Sequence, residues 1–105
     1  MAEEKTFQNK VIKYLESKGA YVVKYWGGGM YTRAGVPDLL VCHNGWFIGV
    51  ELKAEKGKAS DLQLYNIDEI KKSGGIALVL RPSGFKEFQK FIESLSLKTF
   101  NTLER

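Results

Sequence analysis

The feature that most limits how this chain folds is a dipeptide, Asn44-Gly45, set between two hydrophobic runs, "PDLLVCH" and "WFIGVELK". Both residues tolerate positive φ, so the pair is a favoured two-residue hairpin turn. With those two as the loop, His43 faces Trp46, Val41 faces Ile48 and Leu39 faces Val50. The four aliphatic residues then share one face of a sheet and make a sound core. On the opposite face Cys42 meets Phe47, Leu40 meets Gly49, and Asp38 meets Glu51. The strand period of two adds Lys53 to that second face, beside Glu51.

One turn assignment therefore gathers two acids and a lysine. Directly opposed side chains lie about 4.5–5.5 Å apart at Cβ, and like charges there are destabilising. A divalent cation between the carboxylates removes that repulsion. Mg²⁺ suits the arrangement, since it takes one or two carboxylates, several waters and substrate phosphate oxygens. A protonated Lys53 does not ligate metal, but it can hold an attacking water or stabilise charge building on a phosphate. The plainer alternative is that Lys53 neutralises Glu51 while Asp38 sits exposed at a strand end.

Composition bounds the rest. A chain of 105 residues with 44% hydrophobic content buries one core, so a single domain over residues 1–105 is expected. Its 12% aromatic content argues against disorder. No apolar run approaches the roughly 20 residues that span a bilayer, and "MAEEKTFQNK" is too polar for a signal peptide. Cys42 is the only cysteine, which excludes an intrachain disulfide and a cysteine-cluster zinc site. These features read as a cytoplasmic protein. A net charge of +4 admits a polyanionic partner.

Along the chain, Phe7, Val11, Tyr14 and Leu15 recur at helical spacing up to Gly19. "YVVKYW" reads as a strand, and "GGGMYTRAG" as a loop. That loop lacks the Gly-Lys-Ser/Thr of a phosphate cradle. After the hairpin, a helix over residues 60–72 ends at Gly74-Gly75, "IALVL" is a buried strand, and "GFKEFQKFIESL" closes the core. Phe85, Phe88, Phe91, Ile92 and Leu95 form its packing stripe, and residues from Leu97 onward carry no clear pattern. The order α, β, β, β, α, β, α predicts an α/β fold, a mixed sheet with helices on its faces.

These residues resemble a known family. "GVPDLL" followed by "VELK" is similar to the bipartite signature of the PD-(D/E)XK nuclease superfamily, and most of all to its VRR-NUC branch, whose small stand-alone members occur in phages and bacteria. The order of the two motifs, their spacing, "GKASDLQ" after the lysine and a glycine-ended helix before a strand carry the likeness from the first helix through "IALVL". The resemblance implies a restriction-endonuclease-like αβββαβ core, here with an added C-terminal helix, and Mg²⁺- or Mn²⁺-dependent hydrolysis of phosphodiesters. It implies that Asp38 and Glu51 are metal ligands with the Leu52 carbonyl as a third, and that Lys53 is the catalytic lysine. It also points to Glu4 as a metal-side acid of the first helix, with Glu3 as competitor and a dipole-favoured first-turn acid as the plain alternative. Gln63 matches the glutamine that follows the lysine motif in this branch, although Ser60-Asp61-Leu62-Gln63 is also a capping box.

Other residues carry weaker expectations. His43 lies at the far end of the strands from the acids. Cys42 shares their face about 13 Å from Asp38, at roughly 3.3 Å per residue, and is expected to be a packed core thiol. Lys24 either points into the site or is a solvated edge lysine, and Lys56 and Lys58 offer phosphate contacts from a loop. Tyr25, Trp26, Met30 and Tyr31 are candidates for base stacking or for a subunit contact. The expected protein is a metal-dependent deoxyribonuclease acting on branched, flapped or four-way junction DNA as a homodimer. A non-catalytic DNA-binding module on a nuclease-like fold is the alternative, and an interaction protein that binds no nucleic acid is a third.

Overall fold

The computed structural model describes the backbone of residues 2–30 and 32–98 and the side chains of residues 5–30 and 32–98. Its elements run α1 (Ala2–Ser17), β1 (Tyr21–Lys24), β2 (Leu39–His43), β3 (Trp46–Leu52), α2 (Asp61–Lys72), β4 (Ile76–Leu80), a 3₁₀ turn (Pro82–Gly84) and α3 (Phe85–Ser94). The expected αβββαβ core with a C-terminal helix is the observed fold. The irregularity expected from Leu97 onward is seen at Leu97 and Lys98, which lie in neither helix nor strand, and residues 99–105 lie outside the described residues.

The four strands lie in the order β1-β2-β3-β4. The first two pairings are antiparallel and β3 pairs β4 in parallel, with α2 as the crossover. The hairpin register is the one the turn dictates: Leu39 opposite Val50, Val41 opposite Ile48, His43 opposite Trp46. Asn44 at φ 52° and Gly45 at φ 86° supply the two positive angles that such a turn needs.

One face of the sheet carries the core. Leu39, Val41, Ile48 and Val50 pack there against Phe7, Val11 and Leu15 of α1 and Phe88 and Ile92 of α3. The helices end where glycine permits. Gly19 at φ 84° lets its own N–H reach the Glu16 carbonyl and that of Ala20 reach the Leu15 carbonyl, and Gly74 at φ 93° closes α2 in the same manner. The other face receives α2 over β3 and β4. Gly49 lets the helix approach, because a Cβ there would lie 3.0 Å from Ile70 Cδ1 and 3.1 Å from Pro37 Cγ. With both faces covered, β3 is buried from Ile48 through Leu52.

Three expectations are corrected. Cys42 is exposed rather than packed, because α2 lies against β3 and β4 and leaves that end of β2 bare. Phe91 is 38% exposed, since Phe88 and Ile92 define the inward line of α3 and position 91 falls beside it. β1 stops at Lys24, two residues earlier than "YVVKYW" implies. Beyond that strand end the Tyr25 hydroxyl binds the backbone of Arg33, accepting from the N–H at 2.7 Å and donating to the carbonyl at 3.0 Å.

Candidate active site

Asp38 stands immediately before β2 and is held from both sides. Its carbonyl accepts the Tyr25 N–H at 2.8 Å, and its Oδ2 accepts the Leu52 N–H of β3 at 2.9 Å. The preceding segment fixes its approach. Pro37 is fully buried, and Gly35, at φ 81°, lies so close to α2 that a Cβ there would come within 2.6 Å of Leu62 Cγ. Asn66 of α2, also buried, donates to the Leu62 carbonyl at 2.9 Å and to the Ala34 carbonyl at 3.4 Å. The "GVPD" run is thus clamped to α2, and its acid is fixed against the end of β3.

Glu51 is 2% exposed, an extreme position for a carboxylate. Its Oε2 accepts from Gln63 Nε2 at 2.8 Å and lies 3.6 Å from Lys53 Nζ. Its Oε1 is buried with no hydrogen-bond partner among the described residues. Burial first, and the Asp38 charge second, push its pKa up from 4.5 to about 7, while Lys53 pulls part of the way back. Lys53 is itself anchored through its backbone N–H to the Leu80 carbonyl at 3.0 Å.

Gln63 closes the helix cap and also contacts Glu51. Its Oε1 accepts the Ser60 N–H at 2.8 Å while its own N–H donates to Ser60 Oγ at 3.1 Å, a complete capping box at the start of α2. Because the cap takes the amide oxygen, the amide nitrogen is left to face Glu51. Helix capping fixes the direction of the contact to the acid.

A cleft of about 440 Å³ opens at this end of the sheet, lined by Lys5, Gln8, Lys24, Asp38, Glu51, Leu52, Lys53 and Gln63. The structure therefore brings together Asp38, Glu51, Leu52, Lys53 and Gln63, while Lys24 lines the cleft and remains exposed on the edge strand. It does not bring in Lys56 and Lys58, which are exposed on the following loop, nor His43, buried beside the turn. The side chains of Glu3 and Glu4 lie outside the described residues. Lys5 and Gln8 were not anticipated. Their signal was available in the i, i+3 spacing beside Phe7, which puts them on one helical face at the margin of the apolar stripe.

A divalent cation fits this donor set. The Oε1 of Glu51 is a buried carboxyl oxygen with no hydrogen-bond partner among the described residues, and the Asp38 charge beside it disfavours its ionisation. Among the described residues no three His, Cys, Asp or Glu side chains cluster closely enough to ligate a metal by themselves. Two carboxylates with backbone carbonyl and water oxygens match a hard cation better than a zinc-type cage.

A mixed sheet on an αβββαβ frame, with an acid before one strand and an acid-x-lysine at the end of the next, defines the chain as a PD-(D/E)XK-type nuclease domain. A solved structure described as "VRR_NUC domain" matches it with a TM-score of 0.69 and 32% sequence identity, over 87% of this chain and 95% of that one. The chain belongs to the VRR-NUC family. No protein-family model matches it, nor does any curated protein.

Proposed function

We propose that residues 1–105 form one nuclease domain that hydrolyses DNA phosphodiesters with Mg²⁺ or Mn²⁺, and that it selects branched, flapped or four-way DNA over plain duplex. The observation that carries this reading is the buried Glu51 Oε1, without a hydrogen-bond partner among the described residues, beside Asp38 and Lys53 in a cleft rimmed by lysines. Asp38, Glu51 and the Leu52 carbonyl, with Glu4 as a further candidate ligand, would hold a divalent cation, which would supply Lewis-acid polarisation of the phosphodiester and lower the pKa of the attacking water. Lys53 orients the attacking water and offers positive charge to the phosphate. Gln63 keeps Glu51 in one rotamer. Lys5 and Lys24, with no ion-pair partner among the described residues, hold flanking backbone phosphates.

No helix among the described residues is long and apolar enough to cross a membrane. With DNA as substrate, the protein works in the cytoplasm, the host's if it is phage-encoded. We place it as a homodimer. One small domain offers a narrow DNA footprint, and the open edge of β1 exposes Tyr21 and Val23 for pairing with a second copy.

The test is incubation with linear, flapped and four-way DNA, each with Mg²⁺, Mn²⁺ or chelator. Metal-dependent cleavage with preference for branched substrates is expected. Metal that tightens binding without cleavage would establish the non-catalytic DNA-binding module instead. Sedimentation at micromolar concentration gives twice the 11.9 kDa chain mass if the dimer holds.

A further inference from the structure

The chain has two tryptophans, and the fold uses one of them. Trp46 donates from its indole N–H to the Ser96 carbonyl at 2.9 Å and carries Lys98 Nζ 4.4 Å above its ring. Trp26 is 82% exposed, Met30 is 87% exposed, and neither has a hydrogen bond or ring contact among the described residues. They sit on a loop whose base is cinched by the paired bonds between the Tyr25 hydroxyl and the Arg33 backbone.

The three glycines between them, at positions 27–29, are not demanded by the backbone. None lies at left-handed φ, and a Cβ on any of them would meet nothing nearer than 3.4 Å. Most of the atoms it would meet belong to the loop itself, and at Gly28 they are those of the Trp26 indole. What the glycines do provide is a bare backbone beside that indole, which a flat ring can approach from solvent.

The loop grows out of the cleft. Lys24 lines the cleft and the Tyr25 N–H binds the Asp38 carbonyl, so Trp26 follows within about 7 Å of Lys24 along the chain, at roughly 3.5 Å per residue. Between Glu16 and Asp38 the sequence has Lys18, Lys24 and Arg33 and no acidic residue. A second copy of this chain presents mixed charge, whereas a nucleic-acid strand entering the cleft presents only phosphates and stacking faces. The charge favours the strand.

We propose that Trp26 stacks on an unpaired or splayed base next to the scissile phosphate, with Met30 as its neighbour on the loop, and so supplies the selectivity for branched DNA. This rests on the reading of the protein as a DNA nuclease and names the device that chooses the substrate. A stacked base is worth about 1–3 kcal/mol, equivalent to about 5- to 150-fold in affinity.

The experiment uses the full chain with Ca²⁺ in place of Mg²⁺, and a flapped duplex carrying 2-aminopurine at the first unpaired base. The linear duplex of the same sequence serves as reference. Wild type should change the 2-aminopurine fluorescence on binding. Trp26→Ala should abolish that change, weaken flap binding about 5- to 150-fold, and bring the flap-to-duplex affinity ratio towards one. Trp26→Phe, which keeps an aromatic face, should recover most of both signals. The proposal is overturned if Trp26→Ala keeps the wild-type ratio and fluorescence change. It is equally overturned if Trp26→Ala halves the sedimenting mass, which would make the loop a seat for a second copy. Cleavage in Mg²⁺ is scored separately: base stacking without cleavage removes the nuclease reading alone, and cleavage with selectivity unchanged in Trp26→Ala removes the stacking role alone.

Discussion

Burying Glu51 beside Asp38 makes the metal-free protein sensitive to pH in a direction opposite to most salt-bridged acids. Ionisation of Glu51 is harder inside the fold, where its pKa moves from 4.5 to about 7. A raised folded-state pKa means that the group's contribution to stability is fully present below pH 4.5 and is lost as pH rises through about 7. At about 1.4 kcal/mol for each tenfold change in proton affinity, the loss between pH 4.5 and pH 8 comes to about 3 kcal/mol. For a domain of this size that corresponds to roughly 10–20 °C in melting temperature.

Glu51→Gln removes the titration while keeping an oxygen for Gln63 Nε2, so its stability should lack this component. The assay is urea unfolding of both proteins at pH 4.5 and pH 8 in chelator. Taking the difference between the two proteins cancels every other titrating carboxylate. The wild type should lose about 3 kcal/mol more than Glu51→Gln across that interval. Saturating Mg²⁺ at pH 8 should then stabilise the wild type alone, by about 2.7 kcal/mol at a hundredfold excess over Kd. Parallel pH profiles for the two proteins would refute the argument, because they would mean that Glu51 is solvated or already neutralised.

Lys53→Ala should lower the cleavage rate about 10²- to 10³-fold with little change in folding or DNA affinity, as measured by single-turnover kinetics and by binding in Ca²⁺. Asp38→Asn retains an acceptor for the Leu52 N–H but removes the second cause of the raised Glu51 pKa. It should therefore raise the metal-free melting temperature at pH 8 by less than Glu51→Gln does, and calorimetry should show weakened Mn²⁺ binding. Lys5→Ala and Lys24→Ala should each reduce the slope of log affinity against log salt by about one on every DNA tested, with no change in substrate preference.

The parts of this molecule legible in the sequence are those set by short-range rules. A two-residue turn with two positive φ values leaves one register, and that register brings Asp38, just before β2, Glu51, in β3, and Lys53, just after β3, to one end of the hairpin. The ends of α2 were readable from Ser60 and from Gly74-Gly75 for the same reason. What was not legible depends on how helices cross the sheet. The exposure of Cys42 follows from the footprint of α2, and the entry of Lys5 and Gln8 into the cleft follows from the path of α1 over β1 and β2. The i, i+3 spacing marks Lys5 and Gln8 as the margin of the apolar stripe of α1, but only the path of the helix carries that margin to the cleft, and no pattern within β2 marks Cys42 as uncovered.

Gln63 marks the boundary between the two kinds of information. Sequence alone offers a helix cap or a site residue as alternatives, since both require an amide three residues after Ser60. In the folded chain the amide has two ends, and the alternatives divide between them. The oxygen closes the cap and the nitrogen reaches Glu51 across 2.8 Å. The start of α2 and the rotamer of the buried acid are therefore one structural event. The "GVPD" clamp through Asn66 and Gly35 ties Asp38 to the same helix from its other flank. A single helix thus positions both acids, although one stands just before β2 and the other near the end of β3. Two like charges are held together in this fold by α2, and disturbing its first turn should loosen the pair as a unit.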